Sequence, residues 1–259
     1  MPVVAADLVV IGTANHAEND TALQGGARAQ GKKMEFTDLD VNAKIEILSS
    51  SASDTAQQYD IVGKDGAGSD VTENKTLNGT TPVTTTATYE RLNKVVKTAG
   101  GALVGTVTVR KAVGGSTLAT LENTAASKTG AEITEVRKLL IAVAVPATTK
   151  KYYEKVFYHN GNSATTLTSA KCQLSDASDP ANTNIKMGLA ATLNDTATTT
   201  NRVTVPGGIT FVDNQVDQTV VDGNHTAGNS IGVWLEIEIA STATAAKNSF
   251  NLRESGQTV

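Results

Sequence analysis

Cysteine, histidine and aromatic residues are scarce in this chain, and each shortage removes a class of function. Cys172 is the single cysteine, which excludes an intrachain disulfide framework and a multi-cysteine zinc site. It stands in the alternating run Ala170-Lys171-Cys172-Gln173-Leu174, where a small buried hydrophobe is expected and not a reactive thiol. The three histidines, His16, His159 and His225, have no HxH, HxxxH or HExxH relative. A metal or base role therefore has no local support, and surface or turn positions are expected. Ten aromatics in 259 residues, one of them Trp, leave little for an exposed sugar- or base-stacking platform.

Long apolar runs are also missing. None approaches the ~20 residues of a membrane helix, so no membrane partner is expected. Asp7 interrupts the N-terminal stretch Met1 to Val10 and no Lys or Arg precedes it, so a secretory signal is not expected either. The 22 basic and 26 acidic residues give a net charge of −4. Divided near Pro146, the halves hold 14 basic against 16 acidic and 8 against 10. Neither half has the basic excess that displaces counterions from a polynucleotide, so no nucleic acid partner is expected.

Threonine is abundant, at 38 residues, with 22 Gly. Val, Ile and Thr suit a pleated surface, and short alternating runs separated by Gly, Asn and Asp turns predict an all-β sandwich or barrel. Residues 43–48 alternate. Tyr59 to Val62 and Val71 to Leu77 flank a Gly-rich turn at 63–68 and read as a hairpin. Asn78-Gly79 carries a type I′ turn signal. Gly114-Gly115 closes a second hairpin between 103–111 and 116–121. Residues 133–145 fit a helix or a strand; strand is favoured because the neighbours are strands and Pro146 ends the run. Strands are further expected at 152–159, 167–174, 185–190, 209–212, 231–239 and 249–253.

The expected organisation is an extended N-terminal arm over 1–35, a β-sandwich or jelly-roll-like domain over 36–146 and an immunoglobulin-like β-sandwich over 147–259. The arm is Ala/Gly-rich and shows no amphipathic pattern after Ile11, so it builds no core of its own. Trp234 cannot share a face with Val233, Leu235, Ile237 and Ile239; either that strand is buried on both faces or Trp234 meets a partner, and a packing role is expected.

No catalytic residue, cofactor-binding residue or metal ligand is nominated. GxSxG, Walker and GxGxxG motifs in their structural context are missing. A calcium loop starting at Asp38 fails, with Ala43 and Ser49 where Gly and Glu are required. Asp65, Asp70 and Glu73, and Asp213, Asp217 and Asp222, could gather oxygen ligands but are expected to be solvated loop carboxylates. The expectation is a non-enzyme.

Two stretches carry a family resemblance. Residues 53–109, with Tyr59-Asp60-Ile61-Val62-Gly63-Lys64-Asp65-Gly66-Ala67-Gly68, Leu77-Asn78-Gly79-Thr80-Thr81-Pro82-Val83 and Gly105-Thr106-Val107-Thr108-Val109, resemble a module of tailed-bacteriophage structural proteins. Tyr153 to Asn160, Ala227 to Leu235 and Phe250 to Arg253 resemble the immunoglobulin-like modules of such virion proteins. The resemblance implies a capsid decoration or cement protein, made in the host cytoplasm and located on the virion's capsid surface. It implies the major capsid protein and other copies of the chain, as a homotrimer, for partners, with the arm lying on the lattice. It carries no active site and no cofactor. The alternatives are a neck, collar, tail or fibre-adaptor component, or a host-glycan-binding module.

Overall fold

The computed structural model describes residues 2–16, 18–139, 146–175, 183–243 and 250–258. Its regular structure is nearly all β, as expected. Among the described residues the strands run, in chain order, β1 (Leu8–His16), β2 (Gln24–Lys33), β3 (Ile45–Ser49), β4 (Gln58–Lys64), β5 (Asp70–Thr76), β6 (Val83–Thr84), β7 (Arg91–Ala99), β8 (Val107–Lys111), β9 (Thr117–Leu121), β10 (Glu135–Arg137), β11 (Lys150–Asn160), β12 (Leu167–Ser175), β13 (Thr183–Leu193), β14 (Thr198–Thr199), β15 (Gln218–Thr219), β16 (Asn224–His225), β17 (Ser230–Ile239) and β18 (Asn251–Thr258). The chain divides into two compact units, Gln30–Leu139 and a second that joins Met1–Ala29 to Leu140–Val259.

In the unit Gln30–Leu139, one sheet has the order β10-β7-β4-β5, with the end of β2 parallel to β10 through Glu135↔Lys32. The other has the order β6-β3-β8-β9. Period-two burial explains both: along β4, Tyr59, Ile61 and Gly63 are buried while their neighbours are half-buried, as alternate side chains of a pleated strand require. Tyr59, Ile61, Leu92, Val95 and Val136 from the first sheet share one hydrophobic core with Ile45, Ile47, Val107, Val109 and Leu121 from the second. Gly63 is required at its place, because a Cβ there would stand 2.1 Å from Arg91 O and 2.8 Å from the Tyr89 ring.

Both hairpins read from the sequence form: β4 pairs β5 from Gln58↔Thr76 to Lys64↔Asp70, and β8 pairs β9 around Gly114, whose φ is +63°. Asn78-Gly79 departs from a type I′ turn. Gly79 has φ +56° and Asn78 is not left-handed, and the chain bends there to leave β5 for β6 in the other sheet. Of residues 133–145, β10 covers Glu135–Arg137; 140–145 lie outside the described residues.

In the other unit, β13-β17-β11-β1-β2 form one sheet, with β14 on β2. The second sheet has β12 at its centre, with β15 and β16 on one side and β18 paired to it from Leu167↔Thr258 to Ser175↔Asn251. This is where the structure departs most from expectation. Residues 1–35 form no arm: β1 pairs β11 from Leu8↔Asn160 to Ile11↔Phe157, and Ile11 and Thr13 are fully buried. The sandwich expected over 147–259 is thus completed by strands from the other end of the chain. Strand burial supplies the reason. β11 is buried on both faces from Tyr152 to Asn160, so both its edges need partners to satisfy the backbone groups; β17 takes one and β1 the other.

Trp234 resolves the same way. β17 is buried on both faces from Ser230 to Ile237, and Trp234 is fully buried. Its register neighbours are Lys155 on β11 and Gly188 on β13, and Lys155 Nζ stands over the indole, 5.7 Å from its centroid. Gly25, at φ +84°, closes the far side: a Cβ there would lie 2.9 Å from the Trp234 ring and 2.7 Å from Ala197 O.

Candidate functional site

In the unit Gln30–Leu139, four buried or half-buried carboxylates accept loop amides. Asp54 is fully buried. Its carboxylate accepts from Ser49 Oγ at 2.6 Å, Gly105 N at 2.9 Å, Val104 N at 3.0 Å and Gln57 Nε2 at 3.3 Å, joining the loop after β3 to the segment before β8. Glu46 on β3 accepts from Arg110 Nε at 2.9 Å and Gly114 N at 3.1 Å, which fixes the β8–β9 turn. Glu73 on β5 accepts from Thr86 N at 2.9 Å and Ala87 N at 2.5 Å. Glu132 accepts from Leu103 N at 2.9 Å and pairs with Lys97 at 2.5 Å.

Burial opposes the charge on Asp54, Glu46 and Glu73, but their donors outweigh it. For Asp54 these are the Ser49 hydroxyl and the Val104 and Gly105 amides; for Glu46, the Gly114 amide and Arg110; for Glu73, Lys75 and the Thr86 and Ala87 amides. All three carboxyls are held below the usual range, as hydrogen bonds to the charged form dictate. Such groups are fixed acceptors and not proton donors near neutral pH.

The other unit buries a cation. Lys155 Nζ lies 2.5 Å from Asp195 Oδ2, 2.9 Å from Asp195 O, 3.2 Å from Gly26 O and 3.3 Å from Ala197 O. The Phe157 and Trp234 ring centroids are 4.8 and 5.7 Å away. Burial lowers the Lys155 pKa, opposed by Asp195. Surrounded by oxygen acceptors, the amine has no lone pair directed at an open space, so its role is to tie β11 to β2 and to the 195–197 loop.

All three histidines are buried, against the expected surface or turn positions. His16 Nε2 is 3.4 Å from Glu154 Oε1. His159 Nδ1 is 3.0 Å from Ser230 Oγ and 3.4 Å from Arg28 Nη1. His225 Nδ1 is 2.6 Å from Glu254 Oε1, and its Nε2 donates to Asn229 O at 3.0 Å. The histidines are separate, each held by its own partners, and the pattern of the chain gave no sign of their burial because two of them stand at strand ends. Cys172 is fully buried, as read from its alternating run, and burial followed by the nearby Glu254 pushes its thiol well up.

The carboxylates considered for calcium disperse. Asp65 Oδ1 accepts from Ala67 N and Ser69 N, both at 2.9 Å, within its turn. Asp70 pairs with Lys64 at 2.9 Å, Asp213 with Lys186 at 2.9 Å and Asp217 with Lys171 at 3.5 Å. Among the described residues no three His, Cys, Asp or Glu side chains are grouped to hold a metal ion, and no helix is long and apolar enough to cross a membrane. A groove of about 410 Å³ runs past Leu189, Ala190, Gly208, Thr210, Gln218 and Val221. Its lining holds no charged side chain, and Gln218 is already committed to Leu189 N at 2.9 Å and Thr210 O at 3.0 Å. No known protein family, curated protein or solved structure matches this chain.

Proposed function

We propose that this chain is a non-enzymatic structural protein of a tailed-bacteriophage virion, a decoration or cement protein that binds the major capsid protein on the head surface. The observation that carries the reading is the use made of buried and half-buried charge. Asp54, Glu46, Glu73 and Lys155 spend their hydrogen-bonding capacity on backbone groups of loops. That choice favours fixed surface geometry, which a lattice-binding protein needs, over a reacting group. The phage-like residues of 53–109 and 153–235 supply the assignment to a virion.

In this reading the protein is made in the host cytoplasm, joins other copies of itself and contacts the capsid through folded surface, since β1 and β2 are sheet strands. The test is reconstitution: purified full-length chain is added to heads that lack it, and the particles are imaged by electron cryomicroscopy. Density repeated over the shell at hundreds of copies is the expected result. Binding confined to a dozen or fewer sites on the tail axis would move the protein to the neck or tail, and no binding to any particle would overturn the reading.

A further inference from the structure

β5 ends its sheet, and among the described residues no strand pairs its outer side. Its seven residues alternate between exposed and half-buried, with Asp70, Thr72, Asn74 and Thr76 exposed. Antiparallel pairing fixes which backbone groups are unused. Asp65 N donates to Ser69 O, placing the bonded pairs of the β4–β5 ladder at odd residues of β5. The N–H and C=O groups of Thr72, Asn74 and Thr76 therefore point away from β4. A strand with an unused row of this kind is a template for another strand.

The sequence of β5 selects the other strand. Read outward from Asn74, Glu73 is matched by Lys75, Thr72 by Thr76 and Val71 by Leu77. We propose that β5 pairs antiparallel with β5 of a second copy of this chain, about a two-fold axis at Asn74. In that register Asn74 meets its counterpart, and Thr72 meets Thr76 of the other copy. Every pair that must exchange backbone bonds then consists of outward-facing residues. The intervening pairs set Glu73 against the second copy's Lys75, at the positions where opposed side chains come closest.

Shifting the register by two residues in either direction keeps the backbone in phase but places Glu73 against Glu73 or Lys75 against Lys75. Like charges directly opposed are unfavourable, so charge leaves one register of the three. Within a chain Glu73 and Lys75 already pair at 2.8 Å; the dimer converts two such pairs into a neutral group of four. Half-buried charges on an edge strand ordinarily discourage pairing, and here they exclude foreign strands while accepting a copy. The contact is one strand pair, smaller than the ~1,200–2,000 Å² of a stable interface, so the affinity it provides alone is weak. The inference does not depend on the virion reading.

Cross-linking of the full-length chain tests it, since Cys172 is buried and free. Asn74→Cys is expected to give a disulfide-linked dimer under mild oxidation, with far less from Glu73→Cys or Lys75→Cys alone. Sedimentation velocity at rising concentration should show a monomer–dimer equilibrium. Asn74→Pro removes the donor at the axis while leaving the β4 ladder intact, and should weaken the dimer by about tenfold or more. Dominant cross-linking through Glu73→Cys or Lys75→Cys would overturn the register. A chain that stays monomeric to high concentration, or an oligomer in which Asn74→Cys does not cross-link, would overturn the proposal.

Discussion

Replacing Asp54 by Asn removes a charge and one acceptor from a fully buried site at almost no change in volume. Asp54 Oδ1 accepts from Val104 N and Gln57 Nε2, and Oδ2 from Gly105 N and Ser49 Oγ. An amide at this place can orient its oxygen toward only one of the two backbone donors; the other then faces an NH₂ group. A hydrogen bond to a charged group contributes ~1.5–3 kcal/mol, and leaving a buried donor unpaired costs ~1–3 kcal/mol. The Ser49 hydroxyl can rotate to donate elsewhere, so one lost amide bond and one weakened one remain, giving a destabilisation of about 3 kcal/mol.

Urea unfolding followed by far-ultraviolet circular dichroism measures the loss, and hydrogen exchange localises it to the Val104 and Gly105 amides. The pH dependence adds a second reading. The folded carboxyl sits below its unfolded value of ~3.9, so the stability it contributes is complete above that pH and is lost as pH falls through the folded value. Asp54→Asn should therefore remove part of the acid sensitivity below about pH 4 as well as part of the neutral stability. An unchanged midpoint, with Val104 and Gly105 still protected, would show that the carboxylate does not hold these loops.

Trp234→Ala, at a fully buried position, should cost ~3–5 kcal/mol by urea unfolding; a change under 1 kcal/mol would mean that the cavity collapses or that the ring is not enclosed. Lys155→Met keeps the packing against Phe157 and Trp234 but strands Asp195, and a loss of ~3 kcal/mol or more is expected, with Lys155→Arg failing to rescue it because the fork does not fit four oxygens around one point. Cys172 should react with a thiol reagent only at the rate of unfolding, and rapid labelling of the native chain would contradict its burial. Gly63→Ala should destabilise strongly, since the added methyl meets the Arg91 carbonyl, and crystallographic accommodation without backbone shift would refute the contact.

Strands are legible in the sequence where β-branched and aromatic residues stand between turn signals, whether one face is buried, as in β4, or both, as in β11 and β17. β4 and β5 alternate and are separated by a turn with its own chemistry, so period and punctuation agree. β1 and β2 carried neither signal. Leu8-Val9-Val10-Ile11 is a continuous apolar run, and Gln24 to Lys33 is small and polar; such strands are recognisable only once a partner is known. The partner of β1 lies about 150 positions along the chain, at Asn160. Nothing local encodes that distance, and an Ala/Gly-rich stretch without a periodic core face reads as an arm.

Buried charge was illegible for a related reason. Lys155 sits in Tyr152-Tyr153-Glu154-Lys155-Val156-Phe157-Tyr158, where alternation would assign Glu154 and Lys155 to opposite faces, one of them wet. In the structure both faces are dry, because each side of β11 is covered. A charge in the middle of so aromatic a strand is itself the signal: it is tolerated only where oxygen acceptors are built around it. Asp54 likewise follows Ser49-Ser50-Ser51-Ala52-Ser53, which reads as a loop, and only the approach of residues 103–105 makes its carboxylate a hub. In both units the positions that fix the loops are set by segments remote in sequence. The same local chemistry that sequence reading assigns to solvent thus becomes, in the folded chain, the means of holding the surface in one shape.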